Sequence, residues 1–152
     1  MGNLYKPSLI FLKQEGHGLI VKANDPSALC EVVDWEPVFI DIEGRKFSTW
    51  RGVPQNPNCV VIGHFFVNGV EKPKPKDTAG IRAIRRDLIS EREPHHLIWK
   101  GMLPKAILTL WDVLVTDLLH IPTGAFVSKN GTDAVGLQIG LLRFNADAQA
   151  QW

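Results

Sequence analysis

The sequence predicts an α+β domain in which an antiparallel sheet packs around one long apolar helix. Residues 104–120 carry apolar side chains over most of the circumference of a helix, which requires burial on nearly every side. Before and after this segment, short apolar runs are separated by turn-forming residues, as in β-hairpins. We therefore expect N-terminal hairpins and a C-terminal hairpin to form the sheet, and a second helix to span about residues 78–92.

Length and composition indicate a single globular domain. The chain has 152 residues, of which 45% are hydrophobic and 22% are charged, as is usual for a domain that folds without disulfides or metals. We assign residues 1–145 to this domain and residues 146–152 to a flexible C-terminal tail. The lysine and aspartate residues within 104–120 argue against a membrane span, and no secretory signal opens the chain.

The two cysteines bear on the cellular location. Cys30 and Cys59 are too few for the disulfide framework of a small secreted protein, and both lie among apolar neighbours. The sequence therefore predicts two buried thiols in a reducing, cytoplasmic environment, with no membrane partner.

The N-terminal half contains two predicted hairpins. The apolar runs 8–12 and 18–22 form the first, and residues 37–50 form the second, with Gly44-Arg45 as its two-residue turn. In this register the core face of the second hairpin consists of Val38, Ile40, Ile42 and Phe47. Between the hairpins, Asp25-Pro26-Ser27 predicts the cap of a short helix, with a strand as the alternative.

Residues 59–67 are apolar on both alternating faces, apart from His64. This pattern predicts a central strand, turned by Asn68-Gly69 into a further strand. We expect His64 to be a hydrogen-bonded core histidine, because no partners for a ligand or a base can be identified from the sequence.

The C-terminal half supplies the predicted helices and the last hairpin. Pro104 suits the first position of the long helix, and the run Pro122 to Gly124 ends it. After it, residues 125–128 and 134–144 are expected to pair across a turn at 129–132.

The positive charge of the chain is concentrated in residues 72–92, which carry 7 basic and 3 acidic side chains although the whole chain has a net charge of +1. On a helix, Arg82, Arg85 and Arg86 would point to one side, beside a lysine-bearing arm, and so present planar donors to phosphates or carboxylates. The alternative is a solvated helix face on which nearby acids neutralise the arginines. The predicted binding residues are Lys72, Lys74, Lys76, Arg82, Arg85 and Arg86.

The scarcity of catalytic motifs favours a non-enzymatic binding or assembly module over an enzyme. We expect no cofactor and no metal, self-association as a homo-oligomer, and an acidic partner on residues 72–92. One alternative is a small nucleic-acid-binding protein that contacts phosphates through these residues. A further alternative is a metal-dependent hydrolase or nuclease, which would use Asp41 and Glu43 with His64 or His95.

Overall fold

The structure, a computed structural model, describes residues 9–13, 19–23, 25–114, 119–121 and 125–143. These residues form short antiparallel strands and very little helix. The strands are β1 Leu9–Lys13, β2 Leu19–Ala23, β3 Leu29–Ile40, β4 Ser48–Pro54, β5 Cys59–Val60, β6 Phe65–Val67, β7 Arg82–Arg85, β8 Ile89–Arg92, β9 His96–Leu103, β10 Ala106–Asp112, β11 His120–Ile121, β12 Val127–Asn130 and β13 Ile139–Arg143. The helical elements are α1 Pro75–Thr78 and two 3-10 turns, Pro26–Ala28 and Arg86–Leu88.

Three sheets and a separate hairpin account for these strands. The largest sheet has the order β5-β7-β3-β4-β6, and two three-stranded sheets have the orders β12-β10-β9 and β11-β13-β8. β1 and β2 pair with each other, as the sequence predicts for this hairpin. No helix in the described part of the chain is long and apolar enough to cross a membrane.

Strand β3 organises the largest sheet because it pairs with two neighbours in succession. Its beginning pairs with β7, from Leu29 to Glu31, and the remainder pairs with β4. The register shifts between Pro37 and Phe39, and such an irregularity accommodates a proline that cannot donate to the ladder.

The core consists of three apolar clusters. The first is Ala28, Ile84, Ile89 and Leu142, the second is Val113, Val127, Ile139 and Leu141, and the third is Phe39, Phe47 and Leu108. Neighbouring residues of β13, Leu141 and Leu142, enter different clusters, so this strand is buried on both faces.

The predicted long helix 104–120 is wrong. Its first part is strand β10, paired with both β9 and β12, while residues 115–118 lie outside the described residues. Pro104 and Lys105 form the tight turn between β9 and β10, and proline suits such a turn as well as it suits a helix start. The helical wheel was misleading because β10 is buried on both faces: Leu108 and Thr109 are 1% and 0% exposed.

The predicted second helix at about 78–92 is also wrong. α1 ends at Thr78, and the remainder folds as β7, a 3-10 turn and β8. Gly80 and the β-branched Ile81, Ile84 and Ile89 all have low helix propensity, which favours the extended conformation. The fold is therefore antiparallel β, and not α+β packed around a long apolar helix.

The hairpin at 37–50 is present, but its register differs from the predicted one. Ile40, and not Asp41, lies opposite Ser48, so the connection is longer than two residues. A shift of one residue turns the other face of a strand inward. As a result Phe39 is buried, whereas the predicted core residues Ile40 and Ile42 are 36% and 66% exposed.

Two other predictions about strands and their pairing are wrong. Residues 59–67 form two short strands, β5 and β6, separated by Gly63 with a φ of 69°, and residues 70–72, which the structure describes, do not form the strand predicted after the Asn68-Gly69 turn. β12 and β13 do not pair as a hairpin, because β12 joins β10 and β13 joins β8. Asp25 is a helix cap, as predicted, because its carboxylate accepts from the Ser27 N–H at 2.9 Å. The capped element is a 3-10 turn followed by β3, and not the predicted short helix.

The prediction of two free thiols is wrong as well, because Cys30 and Cys59 form a disulfide. The bond joins β3 to β5, which flank β7 in the largest sheet. The predicted C-terminal tail, residues 146–152, lies outside the described residues.

Candidate functional site

An open cleft of about 520 Å³ lies where the loop before β4 meets β6, β9 and β10. Its lining is largely apolar and aromatic, with two polar side chains. The lining residues are Arg45, Phe47, Phe66, Asn68, Trp99, Leu108 and Leu110. We call this feature the aromatic cleft.

Two of the aromatic rings form one wall of the aromatic cleft. Phe47 and Phe66 stack with their ring centroids 5.4 Å apart and an angle of 22° between their planes. Phe47 is buried, whereas Phe66 is 48% exposed. The buried ring therefore supports the exposed one, which gives a flat apolar surface of fixed orientation.

Trp99 adds a further exposed aromatic surface, since it is 39% exposed. Its indole lies over Gly101 of the same strand, because a Cβ added at Gly101 would come within 2.6 Å of Trp99 Cζ2 and Cζ3. Gly101 thus leaves the space that the ring occupies. Leu108, buried beneath the cleft, pairs with Gly101 across the β9–β10 ladder.

Hydrogen bonds hold the backbone beside the two polar lining residues, Arg45 and Asn68. The carboxylate of Asp41 accepts from the backbone N–H groups of Gly44 and Arg45, at 3.0 and 2.7 Å. The hydroxyl of Ser48 donates to the Gly69 carbonyl at 2.6 Å, next to Asn68. These bonds hold the backbone at Arg45 and next to Asn68, and the side chains of both residues are exposed.

Asp41 is 5% exposed and its two carboxylate oxygens accept from backbone N–H groups of this loop, which does not favour the metal ligand or acid of the hydrolase hypothesis. Glu43 instead pairs with Lys105 at 2.8 Å, and His95 contacts Asp112 through its backbone. The part of the chain that the structure describes holds no group of three or more His, Cys, Asp or Glu side chains placed to bind a metal.

The half-buried His64 belongs to a second group, which we call the polar cluster and which also contains the fully buried Thr49 and Ser128. Ser128 Oγ lies 2.7 Å from Thr49 Oγ1 and 2.8 Å from His64 Nδ1, and the Ser128 N–H also donates to that nitrogen. Because Nδ1 accepts from a backbone donor, the neutral imidazole carries its proton on Nε2. Burial, with a smaller effect of the Arg51 cation, lowers the pKa of His64 to about 4.

The polar cluster contains a hydroxyl beside an imidazole, which is the pairing of a nucleophile with a base. Thr49 and Ser128 are both 0% exposed, however, so the hydroxyl of Ser128 does not meet solvent or a substrate. The cluster connects the largest sheet to β12, together with the bond from the His64 N–H to the Phe126 carbonyl at 2.8 Å. Its geometry is that of a structural core contact.

The predicted binding residues of segment 72–92 fall into two groups. Four of them are ion-paired with acids: Lys72 with Asp34, Arg82 with Glu31, Arg85 with Asp25 and Asp87, and Arg86 with Glu91. Lys74 and Lys76 are exposed on either side of Pro75 and make no ion pair with a described residue. Each of the three arginines is therefore paired with at least one acid.

The aromatic cleft was not identified from the sequence. Its lining comes from four separate stretches, and only Arg45 and Asn68 carry a turn signal that could have drawn attention to them. Neither hydrophobic periodicity nor motif spacing predicts that these stretches are close in space, because their proximity depends on how the sheets pack.

Comparison with known proteins finds a similarity of fold and no similarity of sequence family. No protein-family model and no curated protein matches the sequence. The fold is similar to that of GNIP1Aa from Chromobacterium piscinae, a crystal structure with 15% sequence identity and a TM-score of 0.63. The match covers 87% of this chain and 28% of that chain, so this chain spans little more than a quarter of GNIP1Aa. At this identity the likeness shows the fold alone.

Proposed function

We propose that this chain is a non-enzymatic binding module whose binding site is the aromatic cleft. The observation that supports this proposal is the exposure of Phe66 and Trp99 in one concave surface of about 520 Å³. Ligand sites are usually concave, apolar and aromatic, contain few polar groups, and have volumes of about 300–1,000 Å³.

The energetic argument concerns the cost of leaving these rings in water. Fully burying a large apolar side chain is worth about 1.5–3 kcal/mol, and in this cleft part of that free energy is not gained on folding because Phe66 and Trp99 stay 48% and 39% exposed. A ligand that covers Phe66 and Trp99 gains it on binding. The stack of Phe66 on the buried Phe47 holds the ring in place beforehand, which lowers the entropic cost of binding.

The test is a titration with naphthol, an uncharged aromatic probe, followed by tryptophan fluorescence and by NMR. We expect saturable binding that Trp99→Ala removes. The matched control is Met102→Ala, because Met102 lies on the same strand and is 81% exposed but does not line the cleft. Binding that survives Trp99→Ala, or that is absent from the parent protein, would refute the proposal.

Self-association, which the sequence predicts, is a second candidate function, and strand β9 supports it. β9 lies at the edge of its sheet among the described strands, and Leu97, Ile98 and Met102 are 42%, 47% and 81% exposed. An exposed apolar edge strand favours pairing with another strand.

We expect Ile98→Lys to dissociate an oligomer in sedimentation experiments, and Val33→Lys, a control at a site 58% exposed on β3, to leave it intact. A monomeric parent protein would rule this function out.

The acidic partner and the nucleic-acid alternative remain predictions for segment 72–92. The exposed Lys74 and Lys76 favour them, while the ion pairs of the arginines count against a broad basic surface. A hydrolase or nuclease also remains only a prediction of the sequence.

The cytoplasmic location is a prediction that the disulfide disfavours. Cys30–Cys59 joins two strands of one sheet, and structural disulfides are rare in a reducing cytoplasm. We propose an oxidising compartment instead. Alkylation of the natively isolated protein should modify neither cysteine until a reductant is added, and labelling without reductant would favour the cytoplasm.

A further inference from the structure

We infer that the aromatic cleft selects ligands in which a flat apolar body carries a carboxylate or phosphate group. This inference rests on the proposed function and adds the class of ligand. It depends on the charge at the rim, and in particular on Arg45.

The guanidinium of Arg45 is available to a ligand. Its side chain is exposed, lines the aromatic cleft, and makes no hydrogen bond or ion pair with a described residue. The nearest acids in sequence are occupied, since Asp41 accepts from backbone N–H groups and Glu43 pairs with Lys105. The rim therefore carries a positive charge that the described acids do not neutralise.

The backbone at Arg45 is also held in place. Asp41 accepts from the Arg45 N–H at 2.7 Å, and the next residue, Lys46, has a φ of 57°. The loop thus fixes the position of the Arg45 backbone at the cleft, whose apolar floor is formed by Leu108 and Leu110. A guanidinium offers parallel N–H donors that match both oxygens of a carboxylate or phosphate.

The amide of Asn68 complements this arrangement. It lines the same cleft, is exposed, and has no hydrogen-bond partner among the described residues. An amide donates and accepts, so it suits a polar substituent of the ligand without requiring a charge. The apolar surface of Phe66 and Trp99 then takes the body of the ligand, while Arg45 takes its anionic end.

The experiment compares ligands that share one ring. Naphthoate and naphthyl phosphate carry the two possible anionic groups, naphthol is uncharged, and naphthylmethylamine is cationic. We expect either or both of the anionic probes to bind about tenfold more tightly than naphthol, a modest gain because the guanidinium is exposed to solvent. The cationic probe should bind most weakly, and the difference between the two anions identifies the preferred group.

Variants separate Arg45 from its neighbours. Arg45→Gln should reduce the affinity for the anionic probes to that for naphthol, and Arg45→Lys should retain part of the preference. Lys46→Gln is the matched control, because it removes an adjacent exposed cation that does not line the cleft. Chemical shifts outside the cleft should remain those of the folded parent.

Each outcome has a defined meaning. Equal affinity for naphthol and both anions, or an anion preference that Arg45→Gln leaves unchanged, would overturn the inference while the proposed function stands. Failure of every naphthalene probe, naphthol included, would overturn the proposed function itself.

Discussion

The polar cluster and the aromatic cleft are adjacent, but their exposures are the reverse of what is usual. Polar side chains are buried in the cluster, and aromatic side chains are partly exposed in the cleft. Strand pairing places Thr49 opposite Phe66, and Ser128 opposite Leu110, so each pair joins a residue of the cluster to one of the cleft. The polar side chains Thr49 and Ser128 are fully buried, whereas Phe66 is about half exposed. Buried polar groups that are hydrogen-bonded stabilise a unique core, and exposed aromatic groups in a concavity suit a ligand.

This difference implies that folding and binding depend on different residues of the same strands. Variants in the polar cluster should lower the free energy of unfolding, and variants at the rim of the cleft should change affinity.

Leu108 should have the largest effect, because it is 1% exposed and belongs to both the core and the floor of the cleft. We expect Leu108→Ala to lower the free energy of unfolding by about 2–5 kcal/mol, the usual cost of a core cavity. Urea denaturation measures this loss. Leu114→Ala serves as the control, since Leu114 is 53% exposed and should change stability by less than about 0.5 kcal/mol. Similar losses in the two variants would contradict the burial of β10.

Acid should destabilise the protein through His64. Its pKa is 6.5 in the unfolded chain and about 4 in the folded chain, so below pH 6.5 the unfolded state binds a proton that the folded state does not. The free energy of unfolding should therefore fall by roughly 3 kcal/mol as the pH drops from 6.5 to 4, and this contribution should then level off.

Urea denaturation over a series of pH values tests this window. Asp25, Asp34 and Asp133 have pKa values lowered by hydrogen bonds from Ser27, Lys72 and Lys129 respectively, so most of the stability that they contribute is lost below pH 3.8. His64→Gln should abolish the loss between pH 6.5 and 4, and His95→Gln, at an exposed site, should retain it. An unchanged window in His64→Gln would assign it to other groups.

Ser128→Ala should cost about 1–3 kcal/mol, because it leaves Thr49 Oγ1 without its partner in a site closed to water. Thr49→Val should cost a similar amount, and the double variant should cost less than the sum, since the two hydroxyls bond to each other. Ser90→Ala, at a half-buried hydroxyl without a side-chain hydrogen bond to a described residue, is the control. Full additivity would mean that the two hydroxyls do not interact.

The sequence predicted local features better than the partners of strands. The first hairpin and the Asp25 cap depend on residues that are close in sequence, and both are present. By contrast, the segment 104–120 is apolar over most of a helical circumference, and such a segment is compatible with both a buried helix and a strand buried on both faces. Its part Ala106–Asp112 is a strand because it pairs with β9 and β12, which lie on either side of it.

The functional residues show the same limit. His64 was expected to be a hydrogen-bonded histidine of the core, but Ser128 as its partner lies 64 residues away, and no local pattern connects them. The aromatic cleft depends likewise on Arg45, Phe66 and Trp99 from separate strands and loops. Residues 72–92 attracted attention because their charges are adjacent in sequence, whereas the acids that pair with them include the distant Asp25, Glu31 and Asp34.

Gly101→Ala should have the smallest effect on stability and a clear effect on the cleft. The added Cβ would overlap the indole of Trp99, coming within 2.6 Å of Cζ2 and Cζ3, so the ring must swing away. The rest of the strand can remain in place because the obstacle is the outer part of an exposed side chain, and we expect a change in unfolding free energy of less than about 1 kcal/mol. The displaced indole should alter the tryptophan emission and weaken the binding of naphthol. Gly80→Ala is the matched control, because an added Cβ there meets no atom within 4 Å, and it should leave both emission and binding unchanged. If Gly101→Ala binds naphthol as the parent does, Trp99 does not form a wall of the site, and the separation of a stabilising cluster from a binding cleft would lose its main support.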